Sequence, residues 1–214
     1  MRWLAVAAMV LTVAGCQSAY YGAMEKVGVH KRDILVDRVD DARDAQADAQ
    51  EEFKSALQRL DEMLQLDGGE IEAQYNKLND DYEASKAAAE RVYDRIEAID
   101  SVAQDLFDEW ADELDEYSND SLRRQSERSL RETQRRYASL LQSMERAAAT
   151  MDPVLDKLQD NVLYLKHNLN AAAVDAIRGE YRSLQTDVAE LIEEMEVAIA
   201  ESDAFIQAMQ EGRE

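Results

Sequence analysis

Side chains that could do chemistry are few in this chain, and they lie far apart. The single cysteine, Cys16, follows Val13, Ala14 and Gly15. A lone thiol has no partner for an internal disulfide, so covalent modification is the chemistry open to it. The two histidines are His30 and His167. A di-metal site in a helical bundle needs inward glutamates and a Glu-x-x-His pattern on two helices. Val27 and Tyr164 stand three residues before the histidines, so neither fits. There is no glycine-rich phosphate loop, no Gly-x-Ser-x-Gly and no metal-spaced histidine cluster. The sequence thus nominates no catalytic residue, no metal ligand and no cofactor, and a protein that is not an enzyme is expected.

Two polar groupings remain. Lys166, His167, Asn168 and Asn170 put different donor and acceptor patterns on one short turn, which suits recognition of a partner. Asparagines also cap helices and tolerate left-handed geometry, so the same segment could serve only to reverse the chain. The other grouping is electrostatic. Asp105, Asp108, Glu109, Asp112, Glu113, Asp115 and Glu116 precede Arg123, Arg124, Arg128, Arg131, Arg135 and Arg136. Across a hairpin these blocks would face one another, giving a charge zipper of Asp108, Asp112 and Glu116 with Arg124, Arg128 and Arg131. Each exposed pair would contribute ~0.2–1 kcal/mol. Contact of some of these arginines with anionic lipid or a partner is the alternative.

Helices must position these groups, because apolar residues recur at three-four spacing. The first stripe is Leu35, Val39, Ala42, Gln46, Ala49, Phe53, Ala56, Leu60 and Met63, and Asp67-Gly68-Gly69 ends it. A second runs from Ile71 through Tyr75, Leu78, Tyr82, Ser85, Ala89, Val92, Ile96, Ile99, Ala103 and Leu106 to Trp110, with Leu114 and Tyr117 after a slip. Ser118 to Ser121 is a cluster of capping residues and marks the next turn. The third stripe holds Thr133, Tyr137, Leu140, Met144, Ala147, Met151, Leu155, Leu158, Val162 and Leu165. Asp152-Pro153 interrupts it, kinking or breaking the helix. A kink is the expectation. The last stripe is Val174, Ile177, Tyr181, Leu184, Val188, Leu191, Met195, Ala198, Ser202, Phe205 and Met209. Four long helices on short turns predict an all-α, elongated, antiparallel four-helix bundle, up-down-up-down and coiled-coil-like, ~60–70 Å long.

The N-terminus reads differently. Arg2 and the apolar run Trp3 to Val13 have the layout of a signal peptide, and 11 residues fall short of the ~20 that a membrane helix needs. The expected organisation is a cleaved segment over 1–15, a tether over 16–29, a helical domain over 30–210 and a tail over 211–214. Extended, the tether reaches no more than ~45 Å. A formal net charge of −22 repels phosphate backbones, which sets nucleic acid aside as a partner.

Two resemblances add to this. Val13-Ala14-Gly15-Cys16 resembles the lipobox of bacterial lipoproteins, which implies a lipid on Cys16 that holds the chain to a membrane. Gln17 carries no aspartate retention signal, so the resemblance implies the periplasmic face of the outer membrane. Four further segments are Leu106-Phe107-Asp108-Glu109-Trp110, Leu122-Arg123-Arg124-Gln125-Ser126, Met151-Asp152-Pro153-Val154-Leu155, and Leu163 through Ala171. Together they resemble an uncharacterised bacterial family, domain of unknown function 2959, over about 29–209. That family brings no catalytic residues and implies a helical envelope protein. The functional expectation is a membrane-anchored scaffold or interaction module with an unidentified envelope protein as partner. A binding protein or enzyme using a polar pocket among the helices is the other reading.

Overall fold

The first stripe winds into one helix of 34 residues, α1 (Lys31–Leu64), in the computed structural model, which describes residues 30–65 and 71–211. Leu35, Val39, Ala42, Ala49, Phe53, Ala56, Leu60 and Met63 are all fully buried on one side of it. The second stripe forms α2 (Ile71–Glu113), followed by a 3-10 turn over Leu114–Glu116. The expected extension of the core through Leu114 and Tyr117 does not occur, and Tyr117 is 41% exposed. Asp112, Glu113, Asp115 and Glu116 crowd this C-terminus, where the helix dipole disfavours negative charge.

Asn119 then opens α3 (Asp120–Ala149), its side-chain oxygen accepting the N–H groups of Ser121 at 2.9 Å and Leu122 at 3.3 Å. One residue, Thr150, separates α3 from α4 (Met151–His167). Thr150 keeps helical dihedrals (φ −82°, ψ −13°), so the chain continues in the same general direction while its hydrogen-bond ladder is interrupted. The cause lies downstream: Pro153 has no N–H to give the carbonyl of Ala149. The third long helix is therefore kinked, with the break three residues before the proline. Leu155 is consequently only partly buried, and Val154 takes its place in the core. The last stripe forms α5 (Ala171–Glu211).

Cross-helix bonds fix the arrangement. Arg59 meets Asp81 at 3.0 Å and Lys31 meets Glu109 at 2.9 Å, so α1 and α2 run antiparallel. On its other side α1 meets α5 through Arg43 and Asp203 at 3.2 Å, and through Arg178, which donates to the carbonyl of Leu64 at 2.6 Å. α3 and α4 lie between α2 and α5, tied by Tyr137 to Asp100 at 2.8 Å and by the Lys157–Asp187 ion pair. The result is an up-down-up-down four-helix bundle with one strut in two pieces. No described residue is in a strand. One end, the base, gathers the starts of α1 and α3 with the ends of α2 and α5. The other end, the tip, carries the turn from α4 to α5.

Buried polar groups mostly bond within their own helix. Ser85 donates to the Asp81 carbonyl, Ser202 to that of Ala198 and Asn161 to that of Lys157, at 2.7–2.8 Å. Gln46 does not: it is fully buried, and neither its Oε1 nor its Nε2 has a hydrogen-bond partner. No described helix is long and apolar enough to cross a membrane. The expected turn at Asp67-Gly68-Gly69, the cleaved segment 1–15, Cys16 and the tether 16–29 lie outside the described residues.

Candidate interaction site

The tip is built by the end of α4. Leu158, Val162 and Leu165 turn inward, which leaves Leu163 and Tyr164 on the outer side at 50% and 45% exposure. Lys166 and His167 follow in the last turn, both exposed and neither making a hydrogen bond or ion pair among the described residues. Lys166, a cation near a helix C-terminus, is favourably placed against the helix dipole. Leu169 adds a third exposed apolar side chain beyond them.

The asparagines do different work. Asn168 closes α4, its backbone N–H reaching the Leu165 carbonyl at 3.0 Å and its Nδ2 donating to the Tyr164 carbonyl at 2.9 Å. Asn170 opens α5, its Oδ1 accepting the N–H of Ala173 at 3.1 Å while its carbonyl accepts the N–H groups of Ala173 and Val174. Of the four polar residues expected to form a partner surface, two are thus spent on capping and two are available. Leu163 and Tyr164 were missed by sequence reasoning, although a signal exists. They are consecutive apolar residues that both fall off the stripe.

The charge zipper expected at the base is not formed. Only Asp115 and Arg123 pair across the hairpin, at 3.0 Å. Arg131 turns to Glu127 of its own helix at 2.6 Å, and Asp108, Asp112, Glu116, Arg124 and Arg128 make no ion pair among the described residues. The helical step explains this. About 100° per residue puts Arg124, Arg128 and Arg131 on the side of α3 opposite Leu130 and Tyr137, and Asp108 and Asp112 on the side of α2 opposite Leu106. Both rows point outward rather than toward each other. What does cross the hairpin is Trp110, whose Nε1–H donates to Ser126 Oγ at 2.8 Å.

Further along the hairpin, two tyrosines bridge α2 and its neighbours. Tyr93 donates to Asp152 at 2.8 Å and reaches the Ala148 carbonyl, just before the kink, at 3.2 Å. Burial, and then the carboxylate each one holds, push both Tyr93 and Tyr137 above the ordinary tyrosine range. Tyr93, Asp100 and Asp152 border a groove of about 410 Å³ between α2 and α3–α4, floored by Ile96, Leu141 and Ala148. A larger opening of about 640 Å³ lies at the base, where Arg32, Trp110, Leu122, Arg136, Phe205 and Met209 meet. No three His, Cys, Asp or Glu side chains gather to hold a metal ion among the described residues.

A family profile described as a protein of unknown function (DUF2959) matches residues 20–209. The chain belongs to this family. The DUF2959 match starts nine residues before the 29 expected from sequence and ends at the same residue, so it takes in all four helical struts. No curated protein matches the chain.

Proposed function

We propose that this protein is a membrane-anchored, non-enzymatic helical interaction module of the bacterial envelope, held by a lipid on Cys16 and engaging an envelope protein through its tip. The observation that carries the reading is the exposed apolar cluster of Leu163, Tyr164 and Leu169 beside Lys166 and His167. Apolar groups ringed by charge are the usual make-up of a protein contact surface. In addition, the tip lies at the end of the bundle opposite the start of α1, the end a partner reaches when the N-terminus is tethered.

A second reading has its own support. The opening at the base combines Trp110, Phe205 and Met209 with Arg32 and Arg136, and a concave site of mixed polarity suits a small envelope ligand.

Crosslinking in intact cells tests the first reading. Lys166→Glu and His167→Ala should abolish the crosslinked product without lowering the melting temperature. Asn170→Ala removes a cap, so it should cost ~0.5–2 kcal/mol of stability and leave the crosslink in place. A crosslink that survives both tip substitutions excludes this surface. Cys16→Ser should release the chain from membranes, and a variant that still floats with them excludes the lipid anchor.

A further inference from the structure

A second heptad row runs along α3 and α4, on the outside of the bundle. Arg124, Arg128, Arg131, Arg135, Ala138, Gln142, Glu145, Ala149, Asp152 and Asp156 follow one another at strict four-three spacing, and all ten are exposed. The core of these helices uses a different row, Leu130, Tyr137, Leu140, Met144, Ala147 and Met151. The outer row spans ~48 Å at 1.5 Å per residue. Because Thr150 retains helical dihedrals, the row passes through the kink with its spacing intact.

Its charges are segregated. The first four members are arginines, the middle pair is Ala138 and Gln142, and the second half holds Glu145, Asp152 and Asp156 with one alanine. Such a row is complementary to itself read backwards. Turned end for end about a point between Ala138 and Gln142, it sets Arg124 against Asp156, Arg128 against Asp152, Arg135 against Glu145 and Ala138 against Gln142. A small uncharged pair falls at the centre, where two helices come closest.

From this we infer that a second copy of the same chain docks antiparallel along the outer row of α3–α4, forming a two-fold symmetric dimer. The surroundings favour this occupant. The acidic half of the row borders the groove between α2 and α3–α4, where Glu97 and Asp100 add two more carboxylates and Ile96, Leu141 and Ala148 supply an apolar floor. Arginine stems of the second copy can lie on that floor while their guanidinium groups reach the carboxylates. Within the chain these groups mostly lack counter-charges, although Asp152 accepts the Tyr93 hydroxyl and Asp100 that of Tyr137. Of the four arginines only Arg131 has an ion pair, an exposed one with Glu127, and no described cation lies within ion-pair distance of Glu97, Asp100, Glu145, Asp152 or Asp156. A two-fold contact is self-complementary by definition, and few charge patterns meet that condition.

Charge reversal tests it. The full-length chain, in nonionic detergent with micelles in excess, should have the protein mass of a dimer at low salt and of a monomer at high salt, because screening weakens the pairs. Arg135→Glu alone and Glu145→Arg alone should each weaken association at least ~10-fold, each placing like charges opposite one another twice per dimer. The double variant Arg135→Glu/Glu145→Arg should regain the dimer. At high salt, where every form is a monomer, all variants should keep the parent's helical circular dichroism and melting temperature, since both positions are exposed and neither side chain makes a hydrogen bond or ion pair among the described residues. A monomer at low salt overturns the proposal and leaves the arginine row to a different acidic partner. A dimer indifferent to the single reversals overturns it as well, as does a double variant that stays monomeric.

Discussion

Tyr93 and Tyr137 show how single residues hold the third strut to α2. Each spends its hydroxyl proton on a carboxylate of a neighbouring helix, Tyr93 on Asp152 and Tyr137 on Asp100. Folding raises both tyrosines above their ordinary value of ~10. The sign of the linkage follows: their contribution to stability is fully present below pH ~10 and is lost as pH rises through the folded-state values. Chemical denaturation between pH 8 and 11.5 should therefore show stability falling once pH passes ~10. The double variant Tyr93→Phe/Tyr137→Phe should be less stable at neutral pH and show a shallower fall. Equal slopes in the parent and the double variant would rule these two hydroxyls out. At this scale the sequence was least legible, because tyrosines on an apolar stripe do not reveal which carboxylate will lie opposite.

Helices were far more legible, for a physical reason. A stripe buried along a whole helix has to repeat every three or four residues, so burying one amphipathic face leaves a record in spacing alone. Leu191 is fully buried and Glu193 is exposed, as the last stripe requires. Leu191→Ala should cost ~2–5 kcal/mol in a thermal melt and Glu193→Ala close to nothing. Gln46 sits on such a stripe with both amide atoms unbonded. Gln46→Leu should accordingly raise the melting temperature, since a buried group without a partner costs ~1–3 kcal/mol. An unchanged or lowered melting temperature would show that this amide is satisfied in solution. Outward faces leave no comparable record. The expected zipper does not form because nearness of Asp108 to Arg124 in a hairpin says nothing about where each points. Likewise the end of α2 at Glu113 reflects acids massed at a helix terminus, which a stripe does not register.

The molecule as a whole is unevenly packed from end to end. Between Asp120 and Ser129 no residue of α3 is buried, and Leu130 is the first to reach the core. Beside this stretch lies the 640 Å³ opening. Regions with few buried contacts open at a lower free energy than the whole. Amide hydrogen exchange should thus be fast over 120–129 and slow over the second half of α3, where Leu140, Met144 and Ala147 are buried. Uniform protection along α3 would contradict this.

The bundle is a rod in which α1 starts at one end and the exposed apolar tip lies at the other. With the proposed lipid on Cys16, one copy would be moored at a single point, about which the rod could swing upright. Two copies in the proposed pairing would have a mooring at each extremity, ~50–60 Å apart for helices of about 40 residues. A rod moored at both ends lies down, its long axis along the bilayer. Each tip would then rest beside the base of the other copy, within reach of the same leaflet. On the proposed anchoring, pairing along α3–α4 would so decide which neighbours the tip can meet, turning it from proteins facing the membrane toward proteins lying in its plane.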